Sequence, residues 1–317
     1  MNNYKIPALI LICLVIGLIA CRKKEAALTA EVDPPPVFDT RTPLGAKQKE
    51  IFDKYGVIIE YKWNRFAYAP DVVANPANAE DVLPYLELLE ELFFKAMDSV
   101  SGPRLTSKTE TPVRILLIGN GLNYGGSEDF GESTAGQAGN IQPNRLTLGG
   151  LTPFGEVIRA TGPTADADYM KAIYDAAPSS FPNDAGLIGF IYHEYTHYLD
   201  SKHQIPVGFE KPSKVEYLRG SNQYLRVSLA TAISKGFYIP YGMQNEHEDF
   251  ATYVQTIIWK SDAEMQTTYM RNDTTRAKHQ LVTKYFTDLG IPITSLRNYL
   301  TKQSVRDRLI ALKRKYE

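Results

Sequence analysis

Ile191-Tyr192-His193-Glu194-Tyr195-Thr196-His197-Tyr198-Leu199-Asp200 is the stretch that leaves this chain the least freedom. It contains His-Glu-x-x-His, formed by His193, Glu194 and His197. On an α-helix, residues four apart stand one above the other on the same face, so both imidazoles aim at one point. The spacing therefore predicts a helix with a metal ion beside it. Zinc accepts imidazole nitrogens at about 2.0–2.1 Å, and a catalytic zinc site takes three protein ligands and leaves the fourth position open. Glu194 has no use at a purely structural site. A carboxylate next to the open position can take a proton from water and pass it to a leaving amine. The cofactor expected is Zn2+, with His193 and His197 as ligands and Glu194 as general base. The bland alternative is an ordinary amphipathic helix, but with five histidines in 317 residues the pattern seldom arises by chance. Phe181-Pro182-Asn183-Asp184 reads as the helix start, with Asn183 or Asp184 as N-cap, and Leu187, Ile188, Phe190, Ile191 and Leu199 give an apolar face.

The chain opens with an address. Lys5 precedes an apolar run, Ile6 to Ala20, too short for a membrane span and typical of a signal peptide over residues 1–20. Leu18-Ile19-Ala20-Cys21 resembles the bacterial lipobox, which implies lipidation of Cys21 and a membrane partner through that anchor. Arg22 rather than aspartate follows, which fits an outer-membrane lipoprotein on its periplasmic or cell-surface face. Residues 21–42, with Pro34-Pro35-Pro36, read as a tether. Cys13 is the only other cysteine and lies within the signal, so the mature domain has no disulfide and must rely on its core. Formal net charge is −1, from 35 basic and 36 acidic residues, so nothing points to nucleic acid as a partner.

Two lobes are expected, residues 43–205 ending in the metal helix and a helical 206–317. Leu44–Tyr55 reads as a helix stopped by Gly56, and Val57–Trp63 as a strand. Asn78–Val100 reads as a helix with Pro84 tolerable only near its first turn and with Leu83, Leu86, Leu89, Leu92 and Phe93 inward. Val113–Ile118 is a buried strand. The glycine-rich stretch from Gly119 to Gly139 lacks the Lys-Ser/Thr of a phosphate loop and reads as a mobile loop. Asn144–Leu148 is a strand that, by analogy with zinc proteases, would rim a cleft where a peptide pairs. Asp262–Met270, Thr274–Leu289 and the segment from Ser295 onward read as helices, with His279 exposed on its own.

The third ligand has two candidates. His203 completes the metzincin outline His-Glu-x-x-His-x-x-Gly-x-x-His, with Met243 available as a methionine turn, but Asp200 stands where the turning glycine belongs. Without that glycine the helix runs on to about His203. The rival is a helix from Asn245 to Trp259, capped near Asn245 and with Phe250, Val254, Ile257 and Ile258 inward. Glu248 on its first turn would complete a His-His-Glu site. His247 and Asp249 compete with it, Glu246 less so, and a charged helix start favoured by the dipole is the structural alternative.

Together, the lipobox, His-Glu-Tyr-Thr-His, and Gly236-Phe237-Tyr238-Ile239-Pro240-Tyr241 leading into Asn245-Glu246-His247-Glu248-Asp249-Phe250-Ala251 resemble the zinc-binding metallopeptidase lipoproteins of Bacteroidetes, described as substrate-import-associated zinc metallohydrolases. The resemblance implies an α+β, zincin-like fold, Glu248 at the metal, a peptide or protein substrate, and an outer-membrane import system nearby. Family members commonly carry an acidic residue where this chain has Thr252. Glu-x-Phe-Ala is also similar to lethal-factor-like zinc peptidases, whose tyrosine before the glutamate helps hold the oxyanion. Tyr241 is the matching position here, with packing as its other reading among 20 tyrosines. Two further functions stay open: a non-catalytic lipoprotein that binds peptide or glycan around an inert zinc site, and a metal-dependent hydrolase acting on another bond.

Overall fold

The structure, a computed structural model, describes residues 36–63, 72–102, 110–124, 145–175, 186–218 and 223–317. The signal peptide, Cys21, the tether to residue 35, the helix start at Asn183 or Asp184, and residues 125–139 of the glycine-rich stretch lie outside the described residues.

The first helix, α1 (Pro43–Tyr55), has Thr42 as its cap, whose hydroxyl accepts from the Gly45 N–H, and ends at Gly56 in a left-handed conformation (φ 71°). Next come β1 (Ile58–Glu60) and β2 (Val72–Pro76). The strand expected over Val57–Trp63 is confined to β1 because its partner meets it only at Ile58, Ile59 and Glu60. α2 (Ala79–Leu89) passes through a π-helical turn (Glu90–Phe94) into α3 (Lys95–Ser101). Pro84 sits in its second turn, later than expected, and Leu83 is only half-buried while Val82, Tyr85, Leu86 and Leu89 fill the core.

At the centre of the sheet is β3 (Arg114–Tyr124), flanked by parallel β1 and parallel β4 (Arg145–Leu148), with β2 antiparallel along its far half. This corrects the loop expected from Gly119: Gly119 to Tyr124 is strand, because β2 supplies a partner that sequence periodicity does not announce. Glycine is required at 119, where a Cβ would come within 2.7 Å of Pro76 O. Every residue of β4 is buried, as a strand in a parallel pair covered by helices should be.

α4 (Leu151–Arg159) and α5 (Ala165–Tyr174) lead to the long helix α6 (Gly186–His203), which packs on β4 and α5. It runs through Asp200 to His203 and ends at Gln204, which takes a left-handed φ of 64°. After α7 (Leu229–Ser234), α8 (Glu246–Trp259) lies along α6. The helix expected over Asp262–Met270 is a short α9 (Asp262–Glu264) continued by a π-helical turn, Met265–Tyr269. α10 (Asp273–Asp288) precedes Gly290 (φ 77°), and the C-terminal helix is two helices, α11 (Ile293–Leu300) and α12 (Gln303–Tyr316).

A continuous apolar core runs from Ile51 on α1 through α6 and α8 to Leu309 on α12. The architecture is mixed α and β, mostly helical with a small sheet. Among the described residues no helix is long and apolar enough to cross a membrane.

Candidate metal centre

α6 is buried on nearly all sides, and this fixes the direction of its histidines. Leu187, Ile188, Phe190, Ile191 and Leu199 pack into the core. Its tyrosines tie the helix to two other segments: Tyr192 Oη donates to Leu92 O in the π-helical turn and Tyr195 Oη to Glu110 O ahead of β3, each at 2.9 Å. His193 and His197 then emerge one turn apart, with Nε2 atoms 3.2 Å from each other.

α8 brings the carboxylate. Asn245 caps it, its Oδ1 accepting from the backbone N–H of His247 at 3.0 Å and of Glu248 at 2.9 Å. Glu248 Oε2 stands 3.2 Å from His193 Nε2 and 3.3 Å from His197 Nε2. The three atoms form a nearly equilateral triangle. Three ligands of a tetrahedral zinc with bonds of about 2.0–2.1 Å would lie roughly 3.3–3.4 Å apart. Hydrogen bonding accounts poorly for all three edges at once, since a proton on one edge leaves lone pairs facing across another. The donor set and its spacing fit zinc. His193 is 3% exposed, His197 18% and Glu248 14%, so one side of the triangle opens outward.

Protonation agrees with this arrangement. Burial pushes the His193 ring below its usual pKa, although Glu248 pulls the other way, which favours the neutral ring a metal requires. Gln255 Oε1 lies 2.9 Å from His193 Nδ1, and as an acceptor it keeps the proton there and leaves Nε2 bare. Burial acts to raise Glu248, but the two imidazoles outweigh it and hold the carboxyl well below the usual carboxylate range.

Glu194 is buried on α6 beside His193. Tyr241 lies on a 3-10 turn, Pro240–Met243, with its ring centroid 5.9 Å from that of His193 and 5.1 Å from that of Tyr224. Burial first, then the charges of Glu248 and Glu194, push its phenol well above the usual value, so it stays a donor at neutral pH.

His203 is not brought to the triangle. It ends α6 with Nε2 2.6 Å from Glu110 Oε2. Asp200, where the metzincin glycine would be, pairs instead with His247 Nδ1 and ties the end of α6 to the start of α8. Asp249 pairs with Lys278 on α10 instead of joining the triangle, and Met243 packs with Tyr217, Ala232 and Phe237. His279 corrects the expectation of exposure: it is half-buried, its Nδ1 2.8 Å from Tyr238 Oη. Thr252 is buried with its hydroxyl donating to Asp249 O at 2.9 Å.

Sequence reasoning missed Gln255 and Lys278. Gln255 had a signal: it is seven residues after Glu248, two turns along the same helix face. Lys278 had none, because its partner is reached only through tertiary packing.

A family model described as "putative zinc-binding metallo-peptidase" matches residues 48–289. Among solved structures, a putative zinc-binding metallo-peptidase from Bacteroides caccae is similar, with a TM-score of 0.53 and 18% identity over 88% of this chain and 97% of that one. At that identity the likeness shows the fold alone. No curated protein matches the chain.

Proposed function

The chain belongs to the metallo-peptidase family whose model spans its residues 48–289, and from that premise we propose that it is a zinc-dependent peptidase. The observation that carries this reading is the triangle of His193 Nε2, His197 Nε2 and Glu248 Oε2, with edges of 3.2–3.3 Å and a buried glutamate, Glu194, next to its first corner. These three residues would hold the ion. Zinc, when bound, supplies Lewis acidity and brings the pKa of water toward about 7.

The chain's own residues do the rest. Glu194 takes the proton of the attacking water and returns it to the leaving amine, a general-base then general-acid role. Tyr241 keeps its proton and donates a hydrogen bond to the oxygen that gains charge at the scissile carbonyl. Gln255 holds His193 in the ligating tautomer. Glu194→Gln should retain zinc and lose about 10²–10⁴-fold in peptide hydrolysis, measured on a peptide library. Cleavage at the wild-type rate by that variant would sink the mechanism.

The Leu18-Ile19-Ala20-Cys21 lipobox supports a further part of the reading, a lipoprotein anchored through Cys21; Arg22 after it supports the outer membrane, and the resemblance in the sequence supports service to nutrient import. Cys21→Ala should abolish incorporation of labelled fatty acid and release the protein from the membrane fraction. Labelling that persists in the variant would refute the anchor.

A further inference from the structure

Behind Glu248 lies a polar cluster that hydrolysis itself does not use. Asp249, the next residue on α8, is fully buried. Its Oδ2 accepts from Tyr217 Oη at 2.7 Å and pairs with Lys278 Nζ, which is also fully buried. The same ammonium donates to Gly236 O at 3.1 Å and to Ser213 Oγ, and stands 4.9 Å and 4.5 Å from the ring centres of Phe209 and Phe237. Asp249 is thus gripped from the 213–217 segment and from α10. On its other side the backbone of Asp249 abuts Gly242: a Cβ there would lie 3.1 Å from Asp249 Cα and 2.6 Å from Thr252 Oγ1. Gly242 directly follows Tyr241, so Asp249 stands between the turn that carries Tyr241 and the residue that carries the third ligand.

A buried ion pair is a weak source of stability, because desolvation of two charges offsets most of their attraction and apolar residues of similar volume do as well. What it does supply is a restricted arrangement, since each charge must meet its partners or remain buried alone. We propose that Lys278 and Asp249 are positioning residues for the metal centre, fixing the first turn of α8 so that Glu248 keeps its place against His193 and His197, and Tyr241 its place beside them. The inference rests on the zinc reading above. Neither residue belongs to the His193–His197–Glu248 triangle; both act through Glu248 and Tyr241.

The test measures zinc affinity by competition with a chelating dye, the absorption spectrum of the Co2+-loaded protein, and thermal stability, all on the full chain. Lys278→Met, Asp249→Leu and Tyr217→Phe combined remove the pair and its hydroxyl, so that no charge is left alone. The expected result is a melting temperature close to wild type, zinc binding weaker by about 10–100-fold, and an altered cobalt spectrum. Wild-type zinc affinity and cobalt spectrum in this folded variant would overturn the inference. Should the triple variant not fold, Tyr217→Phe alone removes one hydrogen bond to Asp249, and zinc should weaken by about two- to tenfold; wild-type affinity there overturns it equally. Lys313→Met removes another fully buried lysine, on α12 and bonded to Ala160 O, and should leave zinc affinity unchanged. A loss there too would show that any softened core loosens the site, and would also overturn the inference. A wild-type chain that binds no zinc overturns the zinc reading and this inference together, whereas zinc bound equally by wild type and triple variant overturns this inference alone.

Discussion

α6 and α8 meet at the same three atoms but hold them by different means. α6 is fixed by apolar burial and tyrosine hydroxyls, and its two ligands owe their mutual distance to the helical repeat alone. α8 carries one ligand near its N-terminus, where Asn245 caps the first turn, and three polar links to other elements set its position: Asp200 to His247, Lys278 to Asp249, and Gln255 to His193. A pair of ligands on one helix is a local property. A ligand from a second helix is a tertiary one, held here by polar links between elements, the fully buried Lys278–Asp249 pair among them.

That contrast can be broken at its strongest link first. Lys278→Met leaves Asp249 buried without its charge partner, and should cost about 3–5 kcal/mol of stability in urea unfolding. A loss below roughly 1 kcal/mol would mean that α8 is held by apolar packing, as α6 is. Gln255→Leu removes the acceptor at His193 Nδ1 while keeping the site apolar. Zinc affinity should fall by about 10–100-fold with little change in melting temperature, and an unchanged affinity would show that α6 orients His193 unaided. Asn245→Ala is the mildest, removing the cap that serves the N–H groups of His247 and Glu248. It should cost about 1 kcal/mol. A larger loss of zinc than of stability would locate the cap's main effect at Glu248.

The same division decides what could be read in the sequence. His-Glu-x-x-His predicts a helix from its spacing, and α6 is that helix through to His203. Asn245 as cap with Phe250, Val254, Ile257 and Ile258 inward gives α8, and Gly56 and Gly290 mark helix ends, because these signals lie within a few residues of what they describe. Where the determinant is distant, sequence reasoning failed. Gly119 looks like a loop until β2 is seen beside it, and His279 looks exposed until Tyr238 covers it. At the site, Glu248 was one of several acidic candidates near a cap. The family resemblance favours Glu248 among them, and its distance to two imidazoles on another helix separates it from Asp249, whose side chain turns to Lys278 instead.

The measurement closest to the central claim is zinc content by elemental analysis of the purified chain, wild type beside Glu248→Ala and His203→Ala. Wild type should hold a full equivalent of zinc, lost in Glu248→Ala and retained in His203→Ala. Zinc retained without Glu248, or lost with His203, would contradict a centre assembled across α6 and α8.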